Sequence, residues 1–169
     1  QYRAKEELQD LRRVLRESIK DIRKIIYNLR PMSLDDLGFI PTVQRYIEGF
    51  QEETGIIVDF IILSLKPMED PVKNLGIFRI IQEALNNVRK HSKAHHVKIR
   101  MEISYQSILL SITDDGVGFD TEALSSKGRE DGGFGLISIR ERVNLLNGTL
   151  QIKSEVYKGT KLNIMINNT

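Results

Sequence analysis

Three groups of residues have the types and spacing to handle a charged, hydrogen-bonding ligand. Glu83 and Asn87 are four apart in the run Gln82-Glu-Ala-Leu-Asn-Asn-Val-Arg-Lys-His91, with Lys90 and His91 within the next turn. A helix places Glu83 and Asn87 on one side. A carboxylate beside an amide oxygen offers hard oxygen ligands for Mg²⁺, and a nearby cation suits phosphate. The second group, Asp114-Asp115-Gly116-Val117-Gly118, follows an apolar run. Its glycines allow close backbone approach, and a carboxylate at a strand end can accept from an exocyclic amine. The third, Gly132-Gly133-Phe134-Gly135-Leu136, opens a helical pattern whose first N–H groups and dipole favour an anion. Each also has a plain reading: a solvated helix face, an Asp-Gly turn, a helix start after a loop. No Gly-Lys-Ser/Thr follows the glycines, so this is not a Walker A loop.

The elements that must position these groups can be read from periodicity. Leu8, Leu11, Leu15, Ser18, Ile22, Ile25 and Leu29 form a heptad seam, which Val14, Ile19 and Ile26 broaden to the width a helix bundle needs. Such a stripe lies on its own domain or, as its regularity favours, in a dimerisation bundle. Arg30-Pro31 ends that helix. Ser33 can cap a short turn, and Pro41 fits the first turn of a helix with Val43, Tyr46, Ile47 and Phe50 on one face up to Gly55. Ile56–Leu63 reads as a strand. Val72 to about His91 reads as one long helix facing inward through Leu75, Phe78, Ile81, Leu85 and Val88. Val97–Ile103 alternates as a half-exposed strand, and Ile108–Thr113 as a more central one. Asp120–Gly132 is a polar loop of functional length. Leu136–Leu146 is helical, and Leu150–Ser154 and Lys161–Ile166 are strands around a turn at Tyr157-Lys158-Gly159. There is no internal repeat. This mixture predicts an α+β fold, with helices on one face of a largely antiparallel sheet.

Composition narrows the classes. With 169 residues, 40% apolar and 28% charged, the chain reads as a soluble domain plus a short appendage. It has no Cys, which excludes disulfides and thiolate metal sites and suits a reducing cytoplasm. No apolar run approaches the length of a membrane span. The net charge of +2 is too balanced to argue for nucleic acid. Residues 1–30 hold nine basic and five acidic side chains, leaving the remainder slightly acidic. A chain beginning at Gln1 is expected to be part of something longer.

In order, the motifs resemble the Bergerat ATP-binding fold: an Asn-bearing helix, Asp-x-Gly-x-Gly after a strand, a polar loop, Gly-x-Gly-Leu into a helix, and Gly159-Thr160 before a last strand. Glu83-Ala-x-x-Asn87, Lys90-His91, Asp114–Gly118 and Phe134-Gly-Leu136 with Arg140-Glu-Arg142 are similar to two-component sensor histidine kinases of the NarL-partner class. The stretch Leu29-Arg-Pro-Met-Ser-Leu-Asp-Asp-Leu-Gly38 narrows this to the DegS-like members.

The resemblance implies ATP and Mg²⁺ as cofactors, with Asn87 ligating the metal between the phosphates. It implies that Asp114 accepts from the adenine amine, with Gly116 and Gly118 letting the base sit against the backbone. Lys90 and His91 would lie near the phosphate tail, residues 120–132 would form a lid with Gly133 and Gly135 its phosphate-side hinge, and Leu136 would also bind the cofactor. Thr160 would back the adenine through water. Glu83 would act catalytically, as the water-activating Glu of the hydrolytic relatives does, or would serve a Mg²⁺-side or helix-positioning role. Residues 1–32 correspond to the second helix of a dimerisation and phosphotransfer hairpin, and 33–169 to the catalytic domain. The implied partners are a NarL-type response regulator and a second copy in the parent protein, with neither nucleic acid nor membrane. None of His91, His95 and His96 has the context of a phosphoacceptor, so the acceptor helix is expected outside this chain. Two other functions fit the residues: a nucleotide-binding dimerisation module, and a serine kinase or ATPase on the same fold.

Overall fold

The computed structural model describes residues 32–120 and 134–168, together with Arg12, Val14, Leu15 and Ser18. The chain divides into two compact units between Gly38 and Phe39. In the first, the four isolated positions are helical and exposed, and α1 is a single short helix, Met32–Asp36. The rest of the predicted heptad seam lies outside the described residues.

The second unit holds a five-stranded sheet backed by helices. Helix α2 (Phe39–Thr54) leads to strand β1 (Ile57–Ser64), and helix α3 (Pro71–Asn87) leads through a π-helical turn (Val88–Ser92) to β2 (His96–Ile103). Strand β3 (Ser107–Asp114), helix α4 (Phe134–Leu145), β4 (Gly148–Ser154) and β5 (Thr160–Asn167) follow. The strand order is β1-β2-β3-β5-β4, with β1 parallel to β2 and every other pair antiparallel. The expected α+β arrangement is therefore present, with one parallel edge.

Strand alternation determines which face is covered. Val97, Ile99, Met101 and Ile103 of β2 are buried, as are Ile108, Leu110 and Ile112 of β3 and Leu162, Ile164 and Ile166 of β5. In register these residues form one apolar sheet face. Helix α3 presses Ile77, Phe78, Ile80, Ile81, Ala84 and Leu85 into that core, a broader stripe than the five positions expected from periodicity. Full burial of each large side chain contributes about 1.5–3 kcal/mol. Val43, Ile47 and Phe50 bring α2 onto the core, where Tyr46 meets Phe78 edge-on with ring centroids 5.7 Å apart. Such ring pairs add about 0.5–1.5 kcal/mol beyond their burial.

The start of α3 is fixed locally. The Asp70 carboxylate accepts from the N–H groups of Val72 and Lys73 at 2.9 and 3.2 Å, with Pro71 at the first helical position. Its end differs from expectation. The α-helix stops at Asn87, and the next five residues form a π-turn that closes on Lys93 in the left-handed region (φ 52°). A π-turn holds more residues per revolution than an α-turn, so Lys90, His91 and Ser92 point in directions that a continued α-helix would not give them.

Candidate functional site

A cavity of about 240 Å³ opens at one end of the sheet, beneath the end of α3. Its polar edge is Asp114 paired with Thr160, direct neighbours in the β3–β5 register. Its apolar wall includes Ile112 and Leu162, the next pair on the same face, together with Ala84, Val88, Phe119 and Leu136. A cavity with one apolar wall and one acceptor edge suits a flat aromatic base with an exocyclic donor.

Asp114 is 8% exposed, and its Oδ1 accepts from the Gly116 N–H at 2.9 Å. Burial raises its carboxyl above the ordinary value, against the pull of backbone groups of Gly116 and Thr160. Asp115, one residue on, behaves in the opposite way. Its Oδ1 accepts from the N–H groups of both His96 and His95 at 2.9 Å, which holds its carboxyl low. Nearby, the Val117 N–H donates to the Ser92 carbonyl at 2.7 Å. The segment Asp114–Val117 is thus fastened at two places, to the start of β2 and to the end of the π-turn.

The glycines are needed for contacts within the protein. A Cβ on Gly116 would lie 2.3 Å from the Ser92 carbonyl oxygen, and one on Gly118 would lie 2.0 Å from that of Glu155. Gly118 and Gly159 both have positive φ, and a Cβ on Gly159 would meet the Asp114 carbonyl oxygen at 2.0 Å. These residues let the β4–β5 turn stack on the Asp114 loop. The Ser154 hydroxyl ties that stack, accepting from the Phe119 N–H at 2.9 Å and donating to the Gly159 carbonyl at 3.0 Å. The room that Gly116 makes is for Ser92, and Gly116 is not part of the cavity lining.

Asn87 and Gly135 meet on the far side. A Cβ on Gly135 would lie 2.2 Å from Asn87 Oδ1, so any larger residue there must displace the Asn87 amide. Among the described residues, Asn87 Nδ2 is buried with no hydrogen-bond partner. An orphaned amide in a cavity wall leaves a donor that a ligand group or an ordered water can complete.

Of the residues singled out from sequence, Asn87, His91, Asp114, Gly118, Leu136 and Thr160 line the cavity. Gly135 packs on Asn87 instead. Lys90 is exposed and Glu83 half-buried, and both lie outside the lining. Gly133 and residues 121–132 of the expected lid lie outside the described residues. Sequence reasoning missed Ser92, Ile112, Leu162 and Asp115. Strand alternation could have found Ile112, which shares its face with Asp114. No local pattern announces the backbone anchoring by Asp115.

The family model described as histidine kinase-, DNA gyrase B- and HSP90-like ATPase matches residues 72–169, from α3 through the last strand. The chain belongs to this ATPase family. Within it, the chain is 41% identical over 163 residues to the signal transduction histidine-protein kinase/phosphatase DegS of Brevibacillus brevis, covering 96% of this chain and 41% of that protein. The DegS of Bacillus subtilis is 37% identical over 165 residues, covering 95% of this chain and 42% of its own length. The chain thus spans about two fifths of the curated relatives it matches. Among solved structures, the Acinetobacter baumannii histidine kinase AdeS superimposes with a TM-score of 0.62 at 19% identity, covering 93% of this chain and 83% of that one. The sheet and its helices are therefore those of a histidine-kinase ATPase domain. Among the described residues, no helix is long and apolar enough to cross a membrane.

Proposed function

We propose that this chain is the catalytic ATP-binding part of a sensor histidine kinase, working in the cytoplasm. It would transfer the ATP γ-phosphate to a histidine on a separate helical segment, and thence to a response regulator of the NarL type. One observation carries the nucleotide reading: an acceptor edge, Asp114 beside Thr160, and an orphaned amide, Asn87, face one apolar-walled cavity. Asp114 accepts from the adenine amine, and Ile112, Leu162 and Phe119 cover the ring. Asn87 stands at the phosphate end, with His91 on the adjoining turn.

Asn87 fits Mg²⁺ as a hard oxygen donor, because an amide turned about its last torsion presents oxygen where the orphaned nitrogen now stands. Among the described residues no group of three His, Asp or Glu side chains is placed to hold a metal, so the cation would be shared between Asn87 and the phosphates. Its chemistry would be neutralisation of phosphate charge. The protein's own part is positioning, which is most of what phosphoryl transfer demands.

The acceptor comes from elsewhere. His91 lines the nucleotide cavity on the turn that directly follows Asn87, and His96 Nε2 lies 3.1 Å from Asp59 Oδ2. Residues 1–32 are read as the second helix of a dimerisation hairpin, which a second copy and a first helix would complete as a four-helix bundle. The experiment is incubation with γ-labelled ATP and Mg²⁺, with and without a supplied first-helix segment. ATP binding without self-labelling, and acid-labile, base-stable label on the supplied segment, are expected. Acid-labile label on His91, His95 or His96 would overturn the assignment.

A further inference from the structure

The sheet face opposite the helices is sorted into rows. At the Asp114 end, Asp59, Lys98, Thr113, Lys161 and Lys153 are successive register partners across the five strands, basic at every charged position but the β1 edge. The middle row is polar, with Arg100, Ser111, Asn163 and Gln151, and the Ser111 hydroxyl donates to Asn163 Oδ1 at 3.1 Å. The third row is mainly apolar: Leu63, Leu109 and Met165 are each 42–54% exposed, with Glu102 and Thr149 between and beside them.

Two features of the first row suit an anionic partner. Lys153 and Lys161 stand directly opposite one another across β4–β5, both exposed, and like charges so placed are destabilising. Among the described residues, neither they nor Lys98 form an ion pair. The carboxylates of this face are engaged elsewhere, Glu102 with Arg100 at 3.5 Å and Asp59 with His96 at 3.1 Å. Basic and apolar rows lie roughly 14 Å apart, with a concavity of about 480 Å³ between them. An α-helix with its side chains, about 10–12 Å across, spans that width.

We propose that this open face docks an acidic amphipathic helix of a partner protein. Its carboxylates would lie along Lys98, Lys161 and Lys153, and its apolar side on Leu109 and Met165. A nucleic-acid backbone would leave the apolar row unused, and an anionic membrane would be repelled by Glu102 in that row. The proposal is independent of the nucleotide assignment, because none of these residues lines the nucleotide cavity.

The test uses the full chain and a synthetic 18-residue helical peptide with Glu along one side and Leu along the other. A peptide of the same composition in scrambled order and vesicles of anionic phospholipid serve as comparisons. The designed peptide should move the amide NMR signals of Ser111, Asn163, Lys153 and Lys161 while sparing those of the nucleotide cavity. The Lys153→Glu/Lys161→Glu variant should bind it about tenfold more weakly with no loss of thermal stability, and Met165→Ser should weaken it with the charge unchanged. Equal binding of the scrambled peptide, preferential binding of vesicles, or unchanged affinity in the double variant would overturn the proposal.

Discussion

Asn87 and Gly135 occupy complementary space: the amide of one fills the volume a side chain on the other would need, with only 2.2 Å between Asn87 Oδ1 and a Cβ at 135. Gly135→Ala must therefore push the Asn87 amide off its position. The expected cost is about 1–3 kcal/mol of stability, as for overpacking elsewhere, with a loss of ATP affinity of roughly tenfold or more. In an Asn87→Ala background the same substitution should be nearly neutral for stability. Denaturant melts of the four variants in a double-mutant cycle measure that coupling. Additive costs would mean the two residues do not compete for space.

Asn87→Ala should also separate metal-dependent from metal-free binding. Loss of the amide oxygen should weaken Mg-ATP sharply and leave adenosine binding without metal nearly unchanged. Calorimetry with both ligands decides this, and an equal loss for both would make Asn87 a packing residue only.

At Asp114 the expectation concerns the base. In Asp114→Asn the oxygen can still accept from the Gly116 N–H, which leaves an NH₂ group facing the adenine amine. Two facing donors should cost about 1–3 kcal/mol, or ten- to a hundred-fold in ATP affinity. GTP should bind poorly to the unmodified chain, and equal ATP and GTP affinities would remove Asp114 from the base-reading role.

Adjacent carboxyls at 114 and 115 should titrate on opposite sides of their ordinary value of 3.8. Burial makes folded Asp114 hold its proton more tightly than the unfolded chain does. Its contribution to stability is therefore fully present below 3.8 and is lost as pH rises through its raised value. The N–H groups of His96 and His95 do the reverse for Asp115. Its contribution is present above 3.8 and is lost as pH falls through its lowered value. Carbon-detected NMR of the side-chain carboxyls checks both directions, and a reversed order would contradict the burial and bonding described here.

Asp115→Ala should loosen the junction between the start of β2 and the Asp114 loop. ATP affinity is expected to fall several-fold, while Asp115→Asn, which keeps an acceptor oxygen for the His95 and His96 N–H groups, should stay close to the unmodified chain. Equal losses for Ala and Asn would mean that charge, not the pair of hydrogen bonds, is what matters.

Much of this arrangement was legible in the sequence because periodicity is a local property. The alternation Val97-Ile99-Met101-Ile103 gives β2 its buried face without reference to any other strand, and the run after Val72 gives α3 most of its inward residues. The site was legible where a residue's chemistry is its signal, as for Asp114, Asn87 and Thr160. It was not legible where backbone geometry decides. The π-turn after Asn87, the stacking of Gly118 on Glu155 and the anchoring by Asp115 depend on segments brought together from distant parts of the chain. Lys90, which the resemblance sets beside the phosphate tail, is exposed and outside the cavity lining.

The wider turn at Val88–Ser92 also makes the site sensitive to residue number as well as residue type. In an ordinary α-helix each residue advances the chain by about 100° of rotation. Deleting one residue between 88 and 92 would let the turn tighten toward the α form and rotate His91 and Ser92 about the helix axis by an amount of that order. Ser92 could then no longer present its carbonyl to the Val117 N–H. The segment should therefore accept many changes of side chain at Arg89 and Lys90, which are exposed, yet no change of length.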